Sequence, residues 1–227
     1  MSPPARGQVV TCLGQAATIV GDDTDQVLVG SDGDDVIVGL GGADVIKGGL
    51  GNDVICGGDG NDRISGSFGN DQLTGDFGID RVSGGDGSDF VMGDLGADEL
   101  LGGERHDELH GGQGNDILRG GDGGDLIDGG ADRDIVSGSD GADEIYGGEG
   151  ADRIGAGQGA DRVFGGSDND TIRGRRGNDR LFGSSGDDRL FGGRGEDILR
   201  GGFGFDTCGG GPQTDLAFSC AVTSGIP

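Results

Sequence analysis

Gly48-Gly49-Leu50-Gly51-Asn52-Asp53-Val54-Ile55-Cys56 is one copy of a nine-residue unit that returns in phase along most of the chain. Glycine fills the first position of every unit from Gly30 to Gly210 except at Ala156. Glycine also fills the fourth position, where the exceptions are Arg105, Asp132, Asp168 and Gln213. A fixed period of this length is typical of a solenoid, in which each repeat packs only on its neighbours.

The sixth and eighth positions of the unit are the most regular. The sixth is aspartate in twenty-one consecutive units, with no insertion or deletion between them, and the eighth is aliphatic throughout residues 37–199. Two weaker units, residues 12–20 and 21–29, precede the array and carry Ala17 and Gln26 where aspartate belongs. An acidic, glycine-rich chain is usually disordered. A disordered tract has no need of a branched residue at every ninth place, so we expect a folded array.

The spacing predicts how the units fold. We interpret each unit as a six-residue turn followed by a three-residue strand, in which the eighth residue points inward and its two neighbours point outward. Glycine allows the positive φ angles and the close backbone approach that such turns need. Two units complete a coil of 18 residues, so repeat n stacks on repeat n + 2. The sequence therefore predicts an all-β parallel β-solenoid with two repeats per coil, about 50 Å long at roughly 4.8 Å per coil.

The composition excludes several functions and points to a cation. The chain has 42 acidic residues against 16 basic ones, a formal net charge of −26 and 58 glycines, and Lys47 is its one lysine. Nucleic-acid binding would need clustered basic residues, and no apolar segment is long enough to span a membrane. So much like charge and so small a core would leave the chain unfolded unless a ligand neutralised the carboxylates. A divalent cation with oxygen ligands does this.

Calcium is the cation that the spacing favours. Aspartates 18 residues apart, such as Asp35 and Asp53, should lie side by side in two columns, where Ca²⁺ can add backbone carbonyls to reach six to eight oxygen ligands. The predicted ligands are Asp35, Asp44, Asp53, Asp62, Asp71, Asp80, Asp89, Asp98, Asp107, Asp116, Asp125, Asp134, Asp143, Asp152, Asp161, Asp170, Asp179, Asp188, Asp197 and Asp206, and Asp215 continues the series. Twenty-one loops in two columns leave at most 19 gaps for ions. Filling all of these gaps with Ca²⁺ would change the net charge from −26 to +12, so we expect some gaps to be weak or empty.

The unit G-G-x-G-x-D-x-U-x, with U aliphatic, resembles the RTX (haemolysin-type) calcium-binding nonapeptide repeat over residues 21–218. The resemblance implies a right-handed parallel β-roll with calcium ions between stacked turns. Arrays of this family often accompany toxins, proteases, lipases or adhesins, whereas this chain contains the repeats without such a domain. Because calcium is scarce inside cells and plentiful outside, we expect an extracellular, secreted protein that folds on binding calcium.

Three irregular units should hold calcium least well. They place Arg105 and His106 before Asp107, Asp132 and Arg133 before Asp134, and Arg175 and Arg176 before Asp179. A β-carbon at position four is costly where φ is positive, and a cation near the site repels the ion. We therefore predict that the gaps touching Asp107, Asp134 and Asp179 are the weakest.

Catalytic and zinc-binding motifs are not supported. His106 and His110 would need a helix to place both imidazoles on one face, and this segment reads as a turn followed by a strand. No nucleophile elbow or phosphate-binding loop occurs, and the acidic residues are explained by the repeat. The sequence predicts a protein that is not an enzyme.

Outward strand positions late in the chain are rich in arginine and phenylalanine, whereas early ones carry Val36, Val38, Val45 and Val54. The late residues are Arg153, Arg162, Phe164, Arg173, Arg180, Phe182, Arg189, Phe191, Arg200 and Phe218. On one sheet they would form a stripe that binds an acidic ligand, a polysaccharide or cell surface, or a second copy of the chain. This makes a structural or adhesive module the second functional hypothesis. The alternative is cross-strand pairing that merely covers a flat sheet.

The ends of a solenoid must be capped, and the cysteines lie near them. Of the three possible connectivities we favour Cys12–Cys56 and Cys208–Cys220, disulfides typical of an oxidising compartment; free thiols are the alternative. We divide the chain into an N-terminal cap with two degenerate repeats (1–29), the calcium-binding roll (30–218) and a C-terminal cap (219–227). Residues 1–6 lack the apolar segment of a signal peptide, so such a signal is either absent or already removed.

Overall fold

A computed structural model describes residues 9–224, and within them every regular element is a β-strand. Residues 1–8, which include the start of the predicted N-terminal cap, and residues 225–227 of the predicted C-terminal cap lie outside the described range. No helix within residues 9–224 is long and apolar enough to cross a membrane.

The strands form one hairpin and two sheets of twelve parallel strands. The antiparallel hairpin consists of β1 (Thr11–Cys12) and β2 (Gln15–Ala16). The odd-numbered sheet contains β3 (Ile19–Val20), β5 (Val36–Gly41), β7 (Val54–Asp59), β9 (Gln72–Phe77), β11 (Phe90–Leu95), β13 (Glu108–Gln113), β15 (Leu126–Ala131), β17 (Glu144–Glu149), β19 (Arg162–Ser167), β21 (Arg180–Ser185), β23 (Ile198–Phe203) and β25 (Leu216–Phe218). The even-numbered sheet contains β4 (Val27–Val29), β6 (Val45–Leu50), β8 (Arg63–Phe68), β10 (Arg81–Asp86), β12 (Glu99–Glu104), β14 (Ile117–Asp122), β16 (Ile135–Asp140), β18 (Arg153–Gln158), β20 (Thr171–Arg176), β22 (Arg189–Arg194), β24 (Thr207–Gly209) and β26 (Ala221–Ser224).

The stacking follows the predicted 18-residue coil. Each strand pairs in parallel with the strand two places along the chain, and Val91 lies opposite Leu109 in β11 and β13. Successive strands alternate between the two sheets, so the described chain is a parallel β-solenoid of about eleven coils. The predicted fold class is confirmed.

The division of the unit into turn and strand was predicted wrongly. Most strands are six residues long and run from position seven through position three of the next unit, which leaves only positions four to six for the turn. The pairing between neighbouring strands skips the first position of the unit (Gly111) and resumes at the second (Gly112). Gly112 has φ of 107°, and each six-residue strand has a residue of positive φ at the same position, past which the pairing continues.

The interior is a double ladder of aliphatic side chains, one from each unit, that forms a single continuous core from Ile37 to Cys208. The coils approach so closely that a β-carbon at Gly78 would overlap the carbonyl oxygen of Gly60. Gly78 also has φ of 144°. Both predicted uses of glycine, positive φ and close approach, are therefore realised at this position.

The N-terminal hairpin packs on the outer face of the odd-numbered sheet. Cys12, Val38, Val54 and Cys56 form a second buried cluster there. This cover explains why early outward positions of that sheet are valine. Disulfides join Cys12 to Cys56 and Cys208 to Cys220, each with a Cα–Cα distance of 5.7 Å, and no cysteine is free. The favoured connectivity is confirmed.

Candidate calcium sites

The sixth-position aspartates form two buried columns along the solenoid. All twenty-one are buried, and even Asp35, next to the first coils, is only 9% exposed. Each aspartate ends a three-residue turn, and its side chain enters the interior beside the aliphatic ladder. Burying so many acidic side chains is unusual in a protein core, and their hydrogen bonds show how the fold accommodates them.

One carboxylate oxygen of each aspartate is satisfied by the neighbouring coil. The backbone amide of Asp98 donates to Asp116 Oδ1 at 2.8 Å, and the amide of Asp116 donates to Asp134 Oδ1 at 2.8 Å. Nineteen such bonds of 2.7–3.0 Å link the aspartates from Asp35 to Asp215. The predicted pairing of aspartates 18 residues apart is therefore confirmed.

The second carboxylate oxygen is left without a partner. Within residues 9–224, Oδ2 is buried and accepts no hydrogen bond in twenty aspartates, from Asp44 to Asp215. A β-carbon placed on Gly111 would lie 2.5 Å from Asp116 Oδ2 and closer still to the Gly129 carbonyl oxygen. The free carboxylate oxygen and the carbonyl of the next coil thus approach the same point beside a first-position glycine. Two oxygens directed at one point, with no side chain between them, suit a hard cation.

Side chains alone do not make a metal site. In the described part of the chain, no three acidic, histidine or cysteine side chains come together in a metal-binding cluster. Any calcium ion in the columns would therefore need backbone carbonyls as ligands, as the sequence predicted.

Burial raises the pKa of the column carboxyl groups from Asp44 to Asp197, because the interior disfavours their charged form. The pKa is raised to about 7 for Asp80, Asp134 and Asp143, and to about 6 for Asp62 and Asp116. The amide of the neighbouring aspartate lowers each pKa in part, while nearby carboxylates raise it further. Near neutral pH the columns thus hold carboxyl groups poised between protonated and charged forms.

Asp35 differs from the rest of its column. Its Oδ2 accepts hydrogen bonds from the amide and the hydroxyl of Ser31, at 2.6 and 2.8 Å. These bonds, the backbone one foremost, lower the pKa of Asp35. Of the predicted ligands, Asp35 is the one whose second oxygen is already occupied.

The irregular units keep the backbone of the regular ones. Arg105 and Asp132 occupy position four with φ of 84° and 78°, the strained conformation that the sequence predicted. Arg175 and Arg176, in contrast, lie in strand β20 and not in the turn before Asp179, because strands extend to position three. His106 Nδ1 lies 2.8 Å from the Gly124 amide.

The two histidines have separate partners and do not form the helical zinc pair. His110 lies on strand β13 with its Nε2 2.9 Å from Glu108 Oε1, and its pKa is raised, mainly by a hydrogen bond to Asp128.

A second ladder, at position five, was missed in the sequence. Asn52 Oδ1 accepts the amide of Asn70, whose own Oδ1 accepts the amide of Ser88, both at 2.8 Å. Asn169 and Asn178 act in the same way on the next coil. The recurrence of asparagine at position five was the available signal. These side chains tie exposed turns together by hydrogen bonds that need no ion.

The predicted arginine and phenylalanine stripe is divided between the two faces. The residues on the odd-numbered sheet are Arg162, Phe164, Arg180, Phe182, Arg200 and Phe218. Arg153, Arg173, Arg189 and Phe191 lie on the even-numbered sheet. A single stripe was therefore wrong, although the predicted alignments of Arg162 with Arg180 and of Phe164 with Phe182 are confirmed.

Aromatic rings on the odd-numbered sheet stack on one another. The ring centroids of Tyr146 and Phe164 are 5.1 Å apart, and those of Phe164 and Phe182 are 4.8 Å apart. The guanidinium of Arg162 lies 4.8 Å from the Phe164 centroid and pairs with Glu144 at 3.2 Å. The ring faces cover each other, so this ladder stabilises the sheet as cross-strand pairing does.

The fold and the buried acidic columns define a parallel β-solenoid with cation-binding turns. The model of the RTX calcium-binding nonapeptide repeat matches residues 20–55, 29–64, 65–100, 101–136, 128–163, 137–172 and 173–208. The chain therefore belongs to this family and is a calcium-binding repeat protein. No curated protein matches the chain closely enough to serve as a relative.

Proposed function

We propose that calcium ions bind along both aspartate columns, and that binding drives the folding of residues 30–218, between the caps 1–29 and 219–227. The observation that carries this proposal is the set of twenty buried Oδ2 atoms without a hydrogen-bond partner in the described chain. The sixth-position aspartates and the first-position glycine carbonyls would hold each ion. The ion would neutralise the carboxylates and link adjacent coils.

Not all gaps are equal under this proposal. Gaps near Asp107 and Asp134 adjoin strained residues at position four, and the sequence also marked Asp179. Asp35 has a second oxygen already bonded to Ser31, so it should contribute least. We expect fewer than 19 bound ions for these reasons.

Two disulfides and a calcium requirement both favour an extracellular location. Disulfides persist in oxidising compartments, and calcium is plentiful there. In this proposal the chain stays loose where calcium is scarce and becomes a rod after secretion, so its role is mechanical or adhesive and not catalytic. Activity on a general hydrolase substrate, abolished with the fold, would contradict the non-catalytic part.

A calcium titration followed by far-ultraviolet circular dichroism tests the central proposal. The protein starts in chelator at pH 8 with its disulfides intact, and magnesium serves as the control ion. We expect a cooperative change from coil to β-structure with calcium alone, and equilibrium dialysis should give the number of bound ions. Full β-structure in chelator at this pH, unchanged by calcium, would refute calcium-driven folding.

Adhesion to an acidic polysaccharide is the second candidate function. It is favoured by strands β19, β21 and β23, which carry Arg162, Arg180 and Arg200 and no acidic residue. Arg180 forms no ion pair within the described chain. The stacked ring faces leave the arginines, and not the aromatic rings, as the groups that would meet such a ligand.

Binding of calcium-loaded protein to dextran sulfate, with neutral dextran as the control ligand, tests this second role. Arg180→Glu should weaken binding at least threefold, whereas Arg63→Glu, on the even-numbered sheet, should change it little. Equal effects of the two substitutions would indicate that only net charge matters and would dismiss a site on the odd-numbered sheet.

A further inference from the structure

The even-numbered sheet has a basic patch towards its C-terminal end, next to β24 and β26. Strands β18, β20 and β22 contain six arginines and no acidic residue. We name as the arginine patch the residues Arg153, Arg173, Arg175, Arg176, Arg189 and Arg194. All six are exposed. On a protein with a formal charge of −26 this is a marked local excess of positive charge.

The same sheet carries a row of acidic side chains that continues the line of the patch. The third-position residues of consecutive strands lie in register and read Asp86, Glu104, Asp122, Asp140, Gln158, Arg176 and Arg194. Four acidic residues are thus followed by one glutamine and two arginines along one straight line. Within the described chain Glu104, Asp122 and Arg194 form no ion pair, so their charges remain available to a partner.

From this arrangement we infer that the even-numbered sheet is the contact face of a two-fold dimer. A two-fold axis parallel to the strands, between β16 and β18, reverses the order of the strands in the second copy. Residues at the same position of the nine-residue unit then face each other across the axis. It places Glu104 opposite Arg194 of the second copy and Asp122 opposite Arg176 of the second copy. Asp140 then faces Gln158. In the row from Glu104 to Arg194, therefore, no carboxylate faces another carboxylate.

Apolar contacts follow the same symmetry. Leu101 and Phe191 both occupy position nine, in β12 and β22, and are 40% and 37% exposed. The axis sets them opposite each other, and it sets Ser137 opposite Gly155, whose outer face is covered by the guanidinium of Arg175. Sheets that pack face to face lie about 10 Å apart, a distance that a leucine and a phenylalanine bridge.

One opposition is unfavourable. Arg119 faces Arg173 of the second copy across the same axis. Each has another partner within its own chain, since Arg119 pairs with Glu99 at 2.9 Å and Arg173 lies 5.4 Å from the Phe191 ring centroid. The charges around the pair include Asp122, which lies on the same strand as Arg119. The repulsion is therefore partly offset on both sides.

The contact is small, so the dimer should be weak and reversible. Six strands about 4.8 Å apart and six residues long cover roughly 570 Å² per copy. About 1,150 Å² in total lies at the low end of specific interfaces. Because ion pairs at such a face are screened by salt, association should weaken as ionic strength rises.

Calcium should favour the contact. Twenty-one of the 42 acidic residues lie in the buried columns. Outside the columns there are therefore 21 acidic and 16 basic residues, which gives a net charge of −5. Ions in the columns would remove most of the repulsion between copies. The inference rests on the proposed function in this respect, and also because the contact face must be folded. Circular dichroism on each sample tests separately whether the protein is folded.

Sedimentation velocity of calcium-loaded protein between about 1 and 500 μM tests the dimer. The acidic variant is Arg176→Glu with Arg194→Glu, and the basic variant is Glu104→Arg with Asp122→Arg. Each alone opposes like charges across the axis, so its dimer dissociation constant should rise at least tenfold. An equimolar mixture opposes unlike charges at all four places and should form a heterodimer.

A matched control is Arg162→Glu with Arg180→Glu, on the other sheet, which should dimerise as the wild type does. A folded wild-type protein that stays monomeric at 500 μM in low salt would overturn the inference. So would variants that dimerise normally, or a mixture that does not associate. A monomer that binds dextran sulfate through Arg176 and Arg194 would assign the arginine patch to a polyanion and overturn the dimer as well.

Discussion

Replacing Asp116 by asparagine should stabilise the calcium-free protein and destabilise the calcium-loaded one. The asparagine carbonyl can take over the role of Oδ1, which accepts the Asp98 amide. Its NH₂ group would then occupy the place of the partnerless Oδ2 and could donate to the Gly129 carbonyl, which approaches the same point. One substitution thus removes a buried charge and satisfies a buried position, but it also removes a proposed calcium ligand.

The two effects have opposite signs, and the loss in calcium is the larger. Satisfying a buried polar position is worth about 1–3 kcal/mol, and this gain should appear in chelator. Asp116 borders two gaps, towards Asp98 and towards Asp134. At free calcium near 100 times the dissociation constant, each lost ion removes about 2.7 kcal/mol. The net loss in calcium is then roughly 2–4 kcal/mol.

Urea unfolding followed by circular dichroism, in chelator and in calcium, measures both effects on one protein. The chelator series is run near pH 6, where partial protonation favours the folded array. Asp86→Asn is the control, since Asp86 is exposed, and it should change stability by less than about 0.5 kcal/mol in either condition. If the Asp116 variant loses stability equally with and without calcium, the carboxylate matters for packing alone, and the reasoning on its second oxygen is wrong.

Three further predictions concern glycine, backbone strain and pH. Gly111→Ala should lower the free energy of unfolding by about 1–3 kcal/mol and weaken calcium binding, because the new β-carbon fills the space between Asp116 Oδ2 and the next coil. Gly33→Ala is the control in the same urea series and should be nearly neutral, because a β-carbon there meets nothing within 4 Å. Arg105→Gly should stabilise by about 1 kcal/mol by relieving φ of 84°, and the same change at Arg119, which lacks positive φ, should not. In chelator, β-structure should increase as pH falls from 8 to 5, because folded pKa values near 6–7 lie above the unfolded value of 3.8. Stability from protonation is then fully present below pH 4 and lost as pH rises through 7, and a pH titration by circular dichroism showing the reverse would contradict it.

The period of the sequence was sufficient to predict most of the fold. An unbroken phase of aspartate and aliphatic residues determines which coil stacks on which, so the alternation of strands between two sheets and the register of Val91 with Leu109 could be predicted. The disulfide pairing could also be anticipated, since the cysteines cluster towards the ends of the array. These features depend on spacing alone, which a sequence displays directly.

Features that depend on backbone conformation were not predictable in the same way. A glycine pair such as Gly111-Gly112 is typical of turns, yet both residues belong to strand β13, because φ of 107° at Gly112 permits pairing to resume. This single difference moves Arg175 and Arg176 from a turn to the exposed sheet. The hairpin that covers Val38 and Val54 was missed because it packs outside the repeat pattern.

The partnerless oxygens are the physical reason for proposing that so regular a chain needs a ligand. The aliphatic ladder is continuous and the position-five asparagines add hydrogen bonds, so packing alone favours the roll. Against this, twenty buried Oδ2 atoms lack partners within the described residues. An unsatisfied buried polar group costs about 1–3 kcal/mol, so the ionised columns oppose the packing. We therefore expect protons or calcium to occupy the columns when the array is folded. Because calcium alone also links neighbouring coils, it should give a more cooperative unfolding transition than acid does.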